Sequence, residues 1–314
     1  MTEITNERLN ELCEKYITGN IENEDELAEL ELNELAVLYK NAEISKEKLP
    51  LKELFESKKQ AFYNAAVKKL KGLDKIYALT FNKNNMPLVD YTGTPFLFSD
   101  IDMCKLGVKN FLEKNIKAVP EETAVIEINN ISKYCQLFYF YGFKSLKLNE
   151  GIMTIALEDI AENPTAAEEN AVLNPELVRS AIFYLQYALT KCEFDSKNED
   201  LQALVGKLLY ELTKGKYIMP AKKDEDGNVL IPQLMRSDKS AWTPAFTDRY
   251  EFSMMYKESD FDALLLKFED VADIYSKHGV SGIVINPKGA NLILNDNFVK
   301  AVLKFKEDMQ KQNG

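Results

Sequence analysis

The side chains best suited to chemistry are sparse in this chain. One histidine, His278, and four cysteines, Cys13, Cys104, Cys135 and Cys192, stand among 314 residues. The cysteines lie 91, 31 and 57 residues apart. No CxxC pair exists to hold a metal, and four thiols in so long a chain do not make a disulfide framework. They are expected to be reduced and mostly buried. A nucleophilic cysteine would need an imidazole base, and only His278 could serve. It precedes Gly279 at an expected helix end, where a cation suits the helix dipole. No GxSxG elbow, GxxxxGK loop or GxGxxG turn occurs, so neither a nucleophile elbow nor a phosphate cradle is written here. Asp224, Asp226 and Asn228 have the spacing that opens a calcium loop, but that loop needs glycine at its sixth position and glutamate at its twelfth. Val229 and Met235 stand there instead, and a hairpin turn is the better reading. Fifty Asp and Glu side chains could meet as carboxylate pairs in any fold, so their presence alone argues for no glycosidase-like or metal-dependent centre. No cofactor is expected.

The bulk numbers narrow the partners. Thirty-nine basic against fifty acidic residues leave a net charge of −11, a field that repels a phosphate backbone. The longest stretch without a charge, residues 180–190, is eleven residues, well short of the ~20 that span a bilayer. The first twelve residues are acidic and have no apolar core of a secretory signal. A cytoplasmic protein with neither nucleic acid nor membrane as partner is expected.

The elements that must position any site follow from periodicity. Residues 3–34 carry eleven acids and two bases, residues 40–75 ten lysines and five acids. Both read as helical, with solvated charged faces. After Gly72 the period shortens. Residues 76–81, 87–91 and 94–98 read as strands, Asp100 opens a helix, residues 124–128 form a strand, a helix from Asn130 closes at Gly142, and residues 143–157 form a hairpin. Residues 158–216 return to helix, with Asn174 as a cap ahead of Pro175. Strands then recur at 217–221, 229–235 and 242–246. Asp248 opens a helix with Glu251 placed to complete a capping box. A strand at 263–268, a helix closing at Gly279, a hairpin through Asn286 and Asn291, and a last helix from about Asn295 follow.

The two strand-rich stretches align. Phe98, Ser99 and Asp100 recur 148 residues on as Phe246, Thr247 and Asp248, and Thr94-Pro95 recurs at 149 as Thr243-Pro244. Gly142 and Asn149 recur at 137 as Gly279 and Asn286, and Gly151 at 138 as Gly289. A repeat this long implies duplicated domains, not a solenoid. The expected fold is α+β: two similar domains, each a small mixed sheet covered by helices, with helical segments before each. The expected boundaries are 1–72, 73–160, 161–213 and 214–314.

The second copy carries a resemblance. The run Thr243-Pro244-Ala245-Phe246-Thr247-Asp248, followed by Gly282-Ile283-Val284-Ile285-Asn286-Pro287, is similar to the N-terminal domain of the SseB, or enhanced-serine-sensitivity, family over about residues 200–300. The first copy keeps Phe98-Ser99-Asp100 and Asn149 but has Glu150 where the second has Pro287. Nothing resembles the separate C-terminal domain of the family's longer members. The family has no established catalytic residues, so the resemblance implies a fold and a class, without a mechanism.

The same residues have a physical reading: Thr247 or Asp248 caps a helix, Asn286-Pro287 begins a turn in which Asn bonds its own backbone, and Gly279 supplies a left-handed helix end. Trp242 is the sole tryptophan, with Arg236 and Arg249 nearby, and both residue types are common at interface hot spots. A surface of Trp242, Asp248, Arg249, Asn286 and Pro287 is the expected contact site. The expected function is non-enzymatic protein binding or regulation, with an unidentified protein partner or a second copy in a homodimer. Two alternatives stand beside it: an enzyme with a carboxylate-lined cleft, and an acidic immunity-type protein that masks a basic toxin.

Overall fold

Each half begins with helices whose apolar stripe faces a strand layer. The computed structural model describes residues 4–21, 24–90, 92–114, 123–166, 172–188 and 199–313. Helices α1 (Asn6–Leu12), α2 (Glu24–Ala28), α3 (Leu32–Lys48) and α4 (Lys52–Lys71) form the leading segment, with a π-helical turn at Cys13–Thr18. Leu35, Leu38 and Ala42 of α3 face Phe62, Ala66 and Leu70 of α4 in the core. Lys58 is buried without a carboxylate. Its ammonium donates to the carbonyls of Ile17 and Gly19 at the end of the π-helical turn, and burial pushes its pKa down.

The first sheet follows: β1 (Ile76–Phe81), β2 (Met86–Pro87), β3 (Phe96–Phe98), helix α5 (Ile101–Lys114), β4 (Ala124–Ile128), helix α6 (Ile131–Phe140), β5 (Ser145–Leu148) and β6 (Met153–Ala156). Helices α7 (Pro175–Ala188) and α8 (Glu199–Lys214) connect it to β7 (Lys216–Lys223), β8 (Val229–Leu230), β9 (Leu234–Met235), β10 (Ala241–Ala245), α9 (Arg249–Tyr256), β11 (Asp262–Lys267), α10 (Phe268–Lys277), β12 (Gly282–Ile285), β13 (Leu292–Asn295) and α11 (Asp296–Asn313).

The halves share one topology. In the first, β1 lies antiparallel to β4 on one side and to β2 and β3 on the other; β3 runs parallel to β5, and β5 antiparallel to β6. In the second, β7 lies antiparallel to β11 and β8, meets Phe246 just beyond β10 through Ile218, and β10 runs parallel to β12, which turns back into β13. Strand order and direction coincide, but the first half forms one six-stranded sheet, whereas the second, expected as one small sheet, splits into β11-β7-β8 and β13-β12-β10-β9, joined by the single Ile218–Phe246 bridge. One apolar cluster runs from Leu12 to Val302 through both halves, and a smaller one of Val172, Ile218, Phe246 and Tyr256 lies under α9.

Three sequence expectations change. The strand expected over 229–235 splits: β8 pairs β7 and β9 pairs β10, with Pro232, which has no N–H to donate, between them. Asn174 does not spend its side chain on α7; its amide donates to the carbonyls of Lys216 and Thr247 and accepts from the Lys216 N–H, tying the start of β7 to the end of β10. The helix expected from Asp270 begins at Phe268. Cys104 and Cys135 are buried, and burial pushes their thiols up to about 12; Cys13 is half-buried, and Cys192 lies outside the described residues. No helix among the described residues is long and apolar enough to cross a membrane.

Candidate functional site

The C-terminal ends of the parallel strands β10 and β12 meet the start of α9, the place where ligands gather in open α/β sheets. Asn286, just past β12, takes φ 50°, a left-handed conformation that Asn tolerates better than most residues. Its side chain does not bond its own backbone, as the sequence suggested. It reaches across to β10: Oδ1 accepts the Thr247 N–H at 3.0 Å and Nδ2 donates to Thr247 Oγ1 at 2.7 Å. Thr247 Oγ1 in turn donates to Asp248 Oδ2 at 2.8 Å, and Asp248 Oδ1 accepts the Glu251 N–H at 2.8 Å as the N-cap of α9. The two strand ends and the helix are thus riveted by one polar chain.

The first half repeats the rivet. Asn149, at φ 47°, accepts the Ser99 N–H at 3.0 Å, and Asp100 Oδ1 accepts the N–H groups of Asp102 and Met103 at 2.9 Å at the start of α5. Here the Asn149 amide donates to Ser99 Oγ and also to Asn33 of α3, each at 3.3 Å, and the second bond joins the leading helices to the sheet.

Glu251 departs from expectation most. It completes no capping box. Both carboxylate oxygens are buried without a hydrogen-bond partner, and the residue is 1% exposed. Burial, and secondarily the Asp248 carboxylate, push its pKa up to about 8. The carboxyl lies against Gly289, where a Cβ would come within 2.2 Å of Oε1. The first half seals the loop above it: Asn84 Nδ2 donates to the carbonyls of Pro287 at 3.0 Å and Gly289 at 2.9 Å. The Phe140 ring stacks on Tyr250 at 5.2 Å, and the phenol of Tyr141, buried at the end of α6, is raised first by burial and then by the Glu251 carboxylate.

The expected contact surface is therefore mostly interior. Asp248 and Asn286 are 1% exposed and belong to the rivet. Trp242 is buried too: its indole N–H donates to Ser240 Oγ at 2.7 Å, Arg236 covers its ring at 5.4 Å, and Gly282 packs so close that a Cβ there would lie 2.6 Å from the ring. Of the five, Arg249 alone is exposed, while Pro287 is half-buried and held by Asn84. Sequence reasoning missed Asn84, Asn33 and the inward turn of Glu251. One signal was available for the last: the residue at the matching place in the first half, three past the capping Asp100, is the apolar Met103.

Other chemistry is thin. His278 is the exposed C-cap of α10, with Nδ1 2.6 Å from the Ile274 carbonyl. Asp224 accepts the N–H groups of Asp226 and Asn228 in a hairpin turn. Among the described residues no three His, Cys, Asp or Glu side chains gather as a metal site. Two hollows of about 280 and 390 Å³ lie elsewhere. The first, between α2 and α4, contains one carboxylate, Asp25; the second, at the start of α6, is lined by Lys71, Asn129, Asn130 and Ser132 with apolar neighbours and contains none.

Fold and site together define an α+β protein of two like-folded halves in which the strand-end polar residues serve as structural rivets. Residues 185–301, from the end of α7 into α11, match the SseB protein N-terminal domain. No curated protein and no solved structure matches the chain.

Proposed function

We propose that this chain works by binding another protein in the cytoplasm, with its second half acting as an SseB-type domain and its first half as a diverged second copy of that domain. Shared strand order, shared strand direction and the paired Asn149 and Asn286 rivets support the duplication. The observation that carries the binding reading is an apolar arm. Between β7 and β10 the chain makes an excursion through β8 and β9, and Val229, Leu230 and Met235 are exposed on it, Met235 to 66%. Arg236 and Trp242 stand at its root. Large apolar side chains grouped on a polar surface mark interaction sites. The perturbed carboxylate Glu251 supports the same reading from the other side, because it is buried, 1% exposed, beneath residues 287–289, which Asn84 holds.

The test is affinity capture from native lysate with the full chain and with a V229D/L230D/M235D variant, read by mass spectrometry. Proteins captured by the first and lost by the second are the expected result. Identical captures, or none above control, remove the reading. Turnover of a substrate abolished by Glu251→Gln would put an enzyme in its place.

A further inference from the structure

β11 ends its sheet: β7 lies on one side, and among the described residues no strand lies on the other. The register decides which of its backbone groups face outward. Ile218 of β7 exchanges both backbone hydrogen bonds with Phe246, so its N–H and C=O point away from β11. In an antiparallel ladder the residue opposite, Leu265, then also points away from β7. Pro220, opposite Ala263, has no N–H to offer that side either. Alternation places the N–H and C=O of Ala263, Leu265 and Lys267 on the open edge. Lys267 is already engaged at both groups: its N–H donates to Asp270 Oδ2 at 3.1 Å, and as the N-cap of α10 its carbonyl is turned to the helix's first intrahelical bond. Four outward groups remain, on Ala263 and Leu265.

The edge is also apolar and undefended. Leu265 is 56% and Leu264 36% exposed, on opposite faces of the strand. Residues 263–266 include no charge and no proline, devices that ordinarily blunt an edge. The matching edge of the first half, β4, has Glu127 ion-paired with Lys75.

We propose that β11 is a homodimer interface, pairing antiparallel with β11 of a second copy about a two-fold axis through Leu264. In this register Ala263 of each chain faces Leu265 of the other, and four hydrogen bonds use all the free groups of both edges. A shift by one residue would oppose outward to inward groups. A shift by two would set Ala263 against Lys267, whose N–H is taken, or Leu265 against Phe261, whose N–H goes to Ser259 Oγ. The strand's charges agree: Asp262 opens it and Lys267 closes it, and antiparallel pairing lays each Asp262 beside the lysine end of the second copy. A two-fold contact of identical patches is the commonest form of assembly, and one this small forms a reversible dimer.

The full chain is tested by sedimentation equilibrium over a wide concentration range and by oxidative cross-linking of Leu264→Cys and Leu265→Cys variants beside the wild type. The expected mass climbs from 35.9 kDa toward twice that value. Leu264→Cys cross-links strongly, because residues on the axis form the close, non-hydrogen-bonded pair that suits a disulfide, and Leu265→Cys stays near the wild-type background. Leu264→Lys, with an unchanged circular dichroism spectrum, remains monomeric. A monomeric wild type at all concentrations, dimerisation undiminished in Leu264→Lys, or stronger cross-linking at Leu265 than at Leu264 overturns the proposal. So does a free peptide of sequence DALLLK that binds the chain while the chain itself stays monomeric, since the occupant would then be a foreign strand.

Discussion

Glu251→Gln separates the charge of the buried carboxyl from its shape. The wild-type group has no donor to either oxygen and a pKa raised from 4.5 to about 8. Between these values the folded chain holds a proton that the unfolded chain releases, so wild-type stability is full below pH 4.5 and falls as pH rises through about 8. At about 1.4 kcal/mol for each pH unit in that window, the loss comes to roughly 3–5 kcal/mol. For a chain of 314 residues that corresponds to a fall of roughly 5–8 °C in melting temperature. The glutamine variant lacks this term. Its buried amide has a cost of its own, but one that does not vary with pH. Urea and thermal unfolding of both proteins at several pH values from about 5 to 8.5 should show the stability difference between them shifting toward the variant by roughly 3–5 kcal/mol from the acid to the basic end, on top of a constant offset. Parallel curves would refute the reasoning, because they would mean that the carboxyl finds water or a donor in solution. Glu251→Met, which copies Met103 of the first half, should behave as the glutamine variant does.

Asn286→Ala removes both bonds to Thr247 and leaves a non-glycine, non-asparagine residue at positive φ; a loss of about 2–4 kcal/mol is expected in urea unfolding. Gly289→Ala drives a methyl group into the Glu251 carboxyl and should destabilise by about 1–3 kcal/mol. Most of that loss should vanish in a Glu251→Ala background, and a double-mutant cycle without coupling would contradict the contact. Asn84→Ala frees the carbonyls of Pro287 and Gly289. It should cost about 1–2 kcal/mol and speed hydrogen exchange in residues 287–291 even though the substitution lies two hundred residues away.

Most of the scaffold was legible because its signals are local. The helix openings at Asp100 and Asp248, the hairpin turns at Asp224 and Asn286, and the helix ends at Gly142 and Gly279 each rest on a residue whose own conformation or cap bond makes the structure. The break at Pro232 was missed although its signal is equally local: the missing N–H is written in the residue itself, yet the strand was expected to run through it. What stayed hidden was long-range. Asn84 sits in a turn and is explained as a turn residue until its partner 203 positions on is seen. Asp248 and Asn286 looked like surface groups because they are polar, yet two polar groups that satisfy each other's neighbours can be buried at little cost. Glu251 misled for a related reason. The capping-box spacing was right, but the side chain had two places to go, and only the packing of Gly289 and α6 decides between them.

The amide of Asn84 has a consequence for how this molecule can move. Two similar units in one chain usually invite a hinge, and a hinge needs a boundary that opens without breaking anything. Here opening would break the bonds from Asn84 to two carbonyls that no other described side chain is seen to satisfy, and would part an aromatic stack; the Glu251 carboxyl pulls the other way as pH rises, since exposure would let it ionise. The pair is therefore locked like a clasped book. Whatever it responds to must act on its outer margins and leave the spine closed.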